Sequence, residues 1–152
     1  MIKILIIFFL LICDVITKQL VFYSIDLNNF ISVTFFLDLA HIHNFGISFG
    51  LFSGLVSPWF LIFIGLFVTG LIYYMMKQTN NKMEKIGLLI IIAWALSNIF
   101  DRAINGYVID FIYLHYRDFY WPAFNFADIY ISVGVFIVVL QLLKDLHKKL
   151  IK

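Results

Sequence analysis

Residues 59–76 read WFLIFIGLFVTGLIYYMM, 18 positions without a charge. A helix rising about 1.5 Å per residue needs close to 20 apolar residues to cross a hydrocarbon core of roughly 30 Å, so this run reads as a membrane span. Three more runs have the same character. Ile4–Cys13 continues through Leu20–Tyr23, Ile86–Phe100 leads into Asp101 and Arg102, and Ile129–Leu143 follows Asp128. Composition agrees: 63% of residues are hydrophobic, 13% are charged and mean hydropathy is +0.99, whereas a soluble domain carries about 25% charged residues. A net charge of +2, with basic residues at span ends and no basic patch, excludes nucleic acid as a partner.

The reading is therefore an all-α integral membrane protein of four spans, at about 4–23, 59–76, 86–104 and 124–143. Outer loops cover about 24–58 and 105–123. No internal repeat or second domain is evident, so 1–152 is one membrane-embedded domain. Gly65, Gly70, Gly87 and Gly134 suit close helix contacts in lipid. Lys3, Lys77, Lys82, Lys85, Lys144, Lys148, Lys149 and Lys152 all fall on one side of such a bundle, while the loops on the other side carry Asp26, Asp38, Asp110 and Asp118 against Arg117 alone. By the positive-inside rule both termini are cytoplasmic. In the first outer loop, Phe30–Phe36 and Leu37–Asn44 are β-branched and aromatic runs, read as short strands on the outer membrane face.

Ionisable residues inside spans are costly and mark function. Taking Lys144 and Lys85 as the inner surface puts Asp128 and Asp101 about 24 Å up their helices, with Asp110 at or just beyond the outer boundary. Asp110 and Asp128 can then meet near that interface, reached from neighbouring antiparallel helices. Asn98, Asp101, Arg102 and Asn105 share one face of the third span, as do Asn125, Asp128 and Ser132 on the fourth. Asp14 and Lys18, at i and i+4, can neutralise each other and read as structural. Asp101 beside Arg102 reads as a scaffold or substrate-orienting ion pair. Two approaching carboxylates cannot both ionise, which makes an acid and a base at one site. Helix capping or snorkelling by each aspartate is the alternative role.

Other chemistry has less support. The lone Cys13 follows Ile12, where lipoprotein signal cleavage wants a small residue, and three spans follow it. His41 and His43 are the only close histidine pair and no second cysteine exists, so neither a metal nor another cofactor is expected.

Four short elements, in order, carry a resemblance. Asp14-Val-Ile-Thr17-Lys18 fits Asp-x-x-Ser/Thr-Lys. His43-Asn44-Phe45-Gly46-Ile47-Ser48-Phe49 fits Thr/His-Asn-x-Gly-x-Ala/Ser-Phe. Ser97-Asn98-Ile99-Phe100-Asp101-Arg102 with Gly106-Tyr107-Val108-Ile109-Asp110-Phe111 fits Gly-Asn-x-x-Asp-Arg-x-x-x-Gly-x-Val-x-Asp-Phe. Phe124-Asn125-Phe126-Ala127-Asp128 fits Phe-Asn-x-Ala-Asp. The set resembles lipoprotein signal peptidase (signal peptidase II), the aspartic peptidase family of bacterial membranes. The resemblance implies four transmembrane helices with a small extracytoplasmic β-cradle in the bacterial inner membrane. It also implies cleavage of diacylglyceryl-modified prolipoproteins before the lipidated cysteine, near the extracytoplasmic face. Asp110 and Asp128 match the catalytic pair. Asn44, Asn98, Arg102 and Asn125 match substrate-site positions, with Asp14, Lys18 and Asp101 in support. Ser97 stands where glycine is usual, and Ile47-Ser48 where small residues are. The implied partners are prolipoprotein substrate and membrane lipid, and a monomer is compatible with this reading, which leaves the oligomeric state open. The competing classes are a small proton- or cation-coupled transporter, which would keep its charges near the midplane and often repeats its halves, and a membrane scaffold.

Overall fold

The computed structural model describes residues 2–47 and 50–151. Its elements run α1 (Ile2–Ser24), β1 (Phe30–Thr34), β2 (Leu37–Asn44), α2 (Pro58–Gln78), α3 (Lys82–Asn105), β3 (Val108–Tyr116), β4 (Phe119–Tyr120) and α4 (Phe126–Leu150). All four helices are long and apolar enough to cross a membrane. Their ends are set by local chemistry. Ser57 accepts from the Phe60 N–H ahead of Pro58, whose ring suits a first helical position, to start α2. Asn81 caps α3, and Gly106 ends it at φ 80, a conformation glycine takes without penalty. Asn125 and Asp128 form a reciprocal capping box at the start of α4.

The centre of the bundle is α3, which packs against α1, α2 and α4. It approaches α4 closely at Gly87 and Gly134, where a Cβ on Gly87 would sit 2.8 Å from the Gly134 carbonyl oxygen. Small residues are how helices in lipid gain packing contact, since burial against lipid-like neighbours brings no hydrophobic gain. Further along the same interface Trp94 is fully buried and stacks on Tyr130 at 4.4 Å.

At the other end of the bundle lies a four-stranded antiparallel sheet in the order β1-β2-β3-β4. Strands β1 and β2 match the expectation for the first outer loop. Strands β3 and β4 correct the reading of 105–123 as plain loop, and they make the chain helical with a sheet instead of all-α. Asp110, expected in the second outer loop at or just beyond the outer boundary, sits on β3. The residues around it explain why. Val108–Tyr116 is β-branched and aromatic with Gly106 just before it, so a new extended segment begins where α3 stops.

Side chains on β3 alternate between two environments. Ile109 and Phe111 join Val21 and Ile25 of α1 in a core cluster, with Phe126 of α4 against it. Val108 and Asp110 turn the other way, into a cavity among the helices. The pairing of β2 with β3 slips by one residue between Leu39 and Ile42, so that Ile42, rather than His41, lies opposite Asp110. Because side chains alternate with period two, this bulge puts Asn44 on the face of Asp110 and turns His41 and His43 toward α1.

Candidate active site

Four segments, β2 with Asn44 at its end among them, deliver the polar residues to one place. Strand β3 carries Asp110, and the backbone of Ile112 pairs with Phe124 in an isolated bridge that lays the chain just before α4 alongside β3. That brings Asn125 and Asp128, in the first turn of α4, next to Asp110. From α3, Asn98 and Arg102 close the remaining side. The cavity they enclose holds about 250 Å³ and is completed by Leu61, Ile64 and Val68 of α2. Both aspartates and four of the expected partners, Asn44, Asn98, Arg102 and Asn125, line it.

The hydrogen bonds have a common logic. Asn44 Oδ1 accepts the Gly46 N–H at 2.9 Å, which leaves its NH2 to donate to Asp110 Oδ2 at 2.8 Å. Asn125 Oδ1 accepts the Asp128 N–H at 3.2 Å as a helix cap, so its NH2 donates to Asp110 Oδ1 at 2.7 Å. Asn98 Oδ1 accepts from the Lys18 ammonium at 3.2 Å, which turns its NH2 toward Asp128 Oδ1 at 3.4 Å. The Asn125 backbone N–H donates to Asp128 Oδ2 at 3.1 Å. An amide has one donor end and one acceptor end, so fixing the oxygen fixes the other. Every carboxylate oxygen of the pair therefore faces a donor whose direction is set elsewhere.

Asp110 is buried, 3% exposed, and its pKa is pushed up to about 7. Burial is the main cause and the nearby Asp128 charge adds to it, while the bonds from Asn44 and Asn125 pull the other way. A carboxyl poised near neutrality beside a second one can hold or release a proton at working pH. On the sheet face away from the cavity, burial and the neighbouring His41 hold the His43 imidazole below its usual range. His43 stacks on Tyr107 and its Nε2 lies 3.0 Å from that of His41, whose Nδ1 meets the Ile25 carbonyl. Among the described residues no group of three or more His, Cys, Asp or Glu side chains could hold a metal ion.

Behind Asn98 lies an ionic cluster. Lys18 Nζ is 2.7 Å from Asp14 Oδ2 and 2.6 Å from Asp101 Oδ2, with Asp14 and Lys18 almost wholly buried. With Asn98 this uses all three ammonium protons. The i, i+4 pair is present as expected, but Asp101 pairs with Lys18 and not with Arg102, which corrects the sequence reading. Arg102 instead donates to the Asn98 and Gly46 carbonyls, at 3.3 and 2.5 Å, and so ties the segment after β2 to α3. Its Nε has no partner among the described residues. Asn105 is exposed at the end of α3 and leaves the polar stripe, while Ser132 turns its hydroxyl back to the Asp128 carbonyl.

Ser97 is the residue that sequence reasoning undervalued. Its hydroxyl donates to Asp14 Oδ2 at 3.0 Å inside the cluster. The signal was present, since Ser97 stands four residues before Asp101 on the same helix face. Of the two other positions that depart from the family pattern, Ile47 lines the cavity and Ser48 lies outside the described residues.

Residues 6–144 match the family model described as signal peptidase (SPase) II. A lipoprotein signal peptidase of Thermodesulfovibrio yellowstonii is 45% identical over 139 residues, covering 91% of this chain and 92% of its own. One from Pseudoalteromonas atlantica is 37% identical over 136 residues, covering 87% of this chain and 83% of its own. A bacterial membrane enzyme solved by the in meso method at 2.3 Å superposes with a TM-score of 0.87 at 29% identity, over 97% of this chain and 90% of that one.

Proposed function

The chain belongs to the signal peptidase II family and is a peptidase, and from that premise we propose that it is an intramembrane aspartic endopeptidase removing the signal peptide from diacylglyceryl-modified prolipoproteins. Asp110 and Asp128 are its reacting pair. The observation that carries this reading is the convergence of amide and backbone donors on those two carboxylates in one cavity.

One member of the pair is ionised and the other protonated. The ionised carboxylate takes a proton from a water as its oxygen attacks the scissile carbonyl carbon, and the protonated member gives its proton to the carbonyl oxygen. The C–N bond then breaks with a proton passed to the departing amine of the lipidated cysteine, and a carboxylic acid is left on the signal peptide. Asn44, Asn98 and Asn125 act by keeping both carboxyl planes in register throughout, so that little reorganisation is needed during the reaction. Arg102, with a donor in reserve, is suited to hold a substrate carbonyl.

Asp128 lies in the first turn of α4 and Asp101 in the last turn of α3. The charges thus gather at one end of the spans, which suits peptide cleavage at an interface better than ion transport through the midplane. The opposite end bears Lys77, Lys82, Lys85, Lys144, Lys148 and Lys149. On the positive-inside rule that end is cytoplasmic, the sheet is extracytoplasmic, and the chain is a multi-pass inner-membrane protein.

The test is incubation of the protein in lipid vesicles with a diacylated prolipoprotein and with its unlipidated form. Loss of a signal-peptide-sized fragment from the diacylated form is expected. A folded sample that cleaves neither form overturns the proposal.

A further inference from the structure

Asp110 lies at the floor of two cavities. The polar cavity described above opens between the helices, where Ile64 and Val68 of α2 are exposed on its rim. A second cavity, of about 210 Å³, shares only Asn44 and Asp110 with it. None of the residues lining this second space comes from the four spans. Ile42 and His43 belong to β2, Ser53 to the segment after it, and Pro122 and Ala123 to the chain between β4 and α4. Exposure falls along its length. Ser53 and Pro122 are exposed, Ile42, His43 and Ala123 are half-buried, and Asn44 and Asp110 are buried at its end. The second cavity therefore descends to the reacting pair from the sheet end of the molecule, whereas the first reaches it from between the spans.

We propose that this second cavity is the port through which water reaches Asp110, so that the nucleophile arrives from the aqueous side while the peptide occupies the polar cavity. This rests on the peptidase reading above. Each cleavage consumes a water. Its OH ends on the new carboxylic acid, and its remaining proton, carried by the pair, ends on the departing amine. A hydrocarbon core holds almost no water, and a peptide lying in the polar cavity closes the mouth that faces lipid. The water has to come by another way. One water takes about 30 Å³ of liquid volume, so the second cavity has room for several. Buried water also needs polar partners, and here the wall carries Ser53 and His43 while the floor carries Asp110. The Asp110 oxygens each accept an amide N–H, Oδ1 from Asn125 and Oδ2 from Asn44. A carboxyl oxygen has a second lone pair, so a water at the floor can still donate to it.

Cysteine labelling tests this, since Cys13 is the only native thiol and Cys13→Ser clears the background. In lipid vesicles, a small water-soluble methanethiosulfonate present on both sides should modify Ala123→Cys, partway down the port. Ile64→Cys, on the helix-side rim, should react far more slowly. Modification of Ala123→Cys should lower kcat for a lipidated substrate roughly tenfold or more with KM unchanged, because the peptide site is intact and only the water is withheld. Ser53→Cys, an exposed rim position where a hydroxyl becomes a thiol, should show the same loss with a bulkier reagent. In Asp110→Asn protein, which should bind substrate without cutting it, bound substrate should leave the labelling rate of Ala123→Cys unchanged. Protection of Ala123→Cys by bound substrate would make the cavity a peptide site and overturn the port. Full modification without loss of kcat, or faster aqueous labelling at Ile64→Cys, overturns it as well. In each of these cases the unlabelled protein still cleaves, so the peptidase reading stands. Failure of the unlabelled Cys13→Ser protein to cleave overturns both.

Discussion

Asn98→Leu is the most informative single perturbation, because among the described residues Asn98 alone is bonded to both the ionic cluster and the reacting pair. Its oxygen accepts from Lys18 at 3.2 Å and its NH2 faces Asp128 at 3.4 Å. Leucine keeps the volume and removes both ends. A hydrogen bond to a charged group contributes about 1.5–3 kcal/mol. If it acts mainly in the transition state, turnover should fall roughly 10- to 150-fold at 1.36 kcal/mol per decade. Lys18→Met should produce a comparable loss through a different atom, since nothing then holds the Asn98 oxygen and the amide is free to turn. Lys18→Met should also destabilise the fold by about 3–5 kcal/mol, because a buried carboxylate, Asp14, and a half-buried one, Asp101, lose their common cation. The deciding measurement is kcat for both single variants and the double variant on a lipidated substrate in vesicles, with thermal unfolding followed separately. If Lys18 acts through Asn98, adding Lys18→Met to Asn98→Leu should change kcat by no more than about twofold. Losses that multiply in full would refute the relay and assign Lys18 a purely structural or independent role.

Asp110→Asn and Asp128→Asn should each abolish turnover while the protein still inserts, with Asp128→Asn also losing about 1 kcal/mol of helix capping by thermal unfolding. Activity against pH should be bell-shaped with limbs belonging to the coupled pair, the descending one near 7, where Asp110 is held. The sign for stability is opposite to that of an ordinary paired carboxylate. The folded chain keeps a proton on Asp110 up to about 7, against 3.8 for an ordinary aspartate, so stability is lost as pH rises through that window, and Asp110→Asn should outlast the parent at pH 8 but not at pH 4. Asp14→Asn with Lys18→Met should recover stability only in part, because Asp101 is left bare, and adding Asp101→Asn should recover more in the same unfolding assay. Hydroxyl-bearing mimics of the tetrahedral intermediate should compete with substrate and bind more tightly, and metal chelators should leave cleavage unchanged.

The four helices were legible because their signal is long and uniform, as in the uncharged run from Trp59 to Met76. The strand carrying Asp110 was harder to see. Val-Ile-Asp-Phe-Ile is apolar on both sides of the charge and too short to tell a buried strand from a helix end, and only Gly106 marks the break. Both aspartates and their asparagines could be named from spacing and resemblance, but their partners could not. The link from Lys18 to Asp101 spans 83 positions, and the link from Asn44 to Asp110 spans 66. The latter depends on a one-residue slip in β2 that no local pattern announces. The pairing of Asp101 with Arg102 failed for the same reason. Adjacent residues on a helix point in different directions, and Lys18 on another helix was nearer.

The ionic cluster also bears on how the protein is made. Lys18 ends with three partners, but two of them belong to α3, and 83 residues separate it from Asp101 in the chain. At 5–20 residues per second the ribosome needs roughly 4–17 s to cover that distance. For that interval α1 must reside in lipid with a lysine whose later partners do not yet exist. Asp14, one turn away on the same helix, is the only one of the three already present. The intrahelical pair is thus a temporary passport for the first span, and the arrival of α3 turns it into the permanent anchor of the finished bundle.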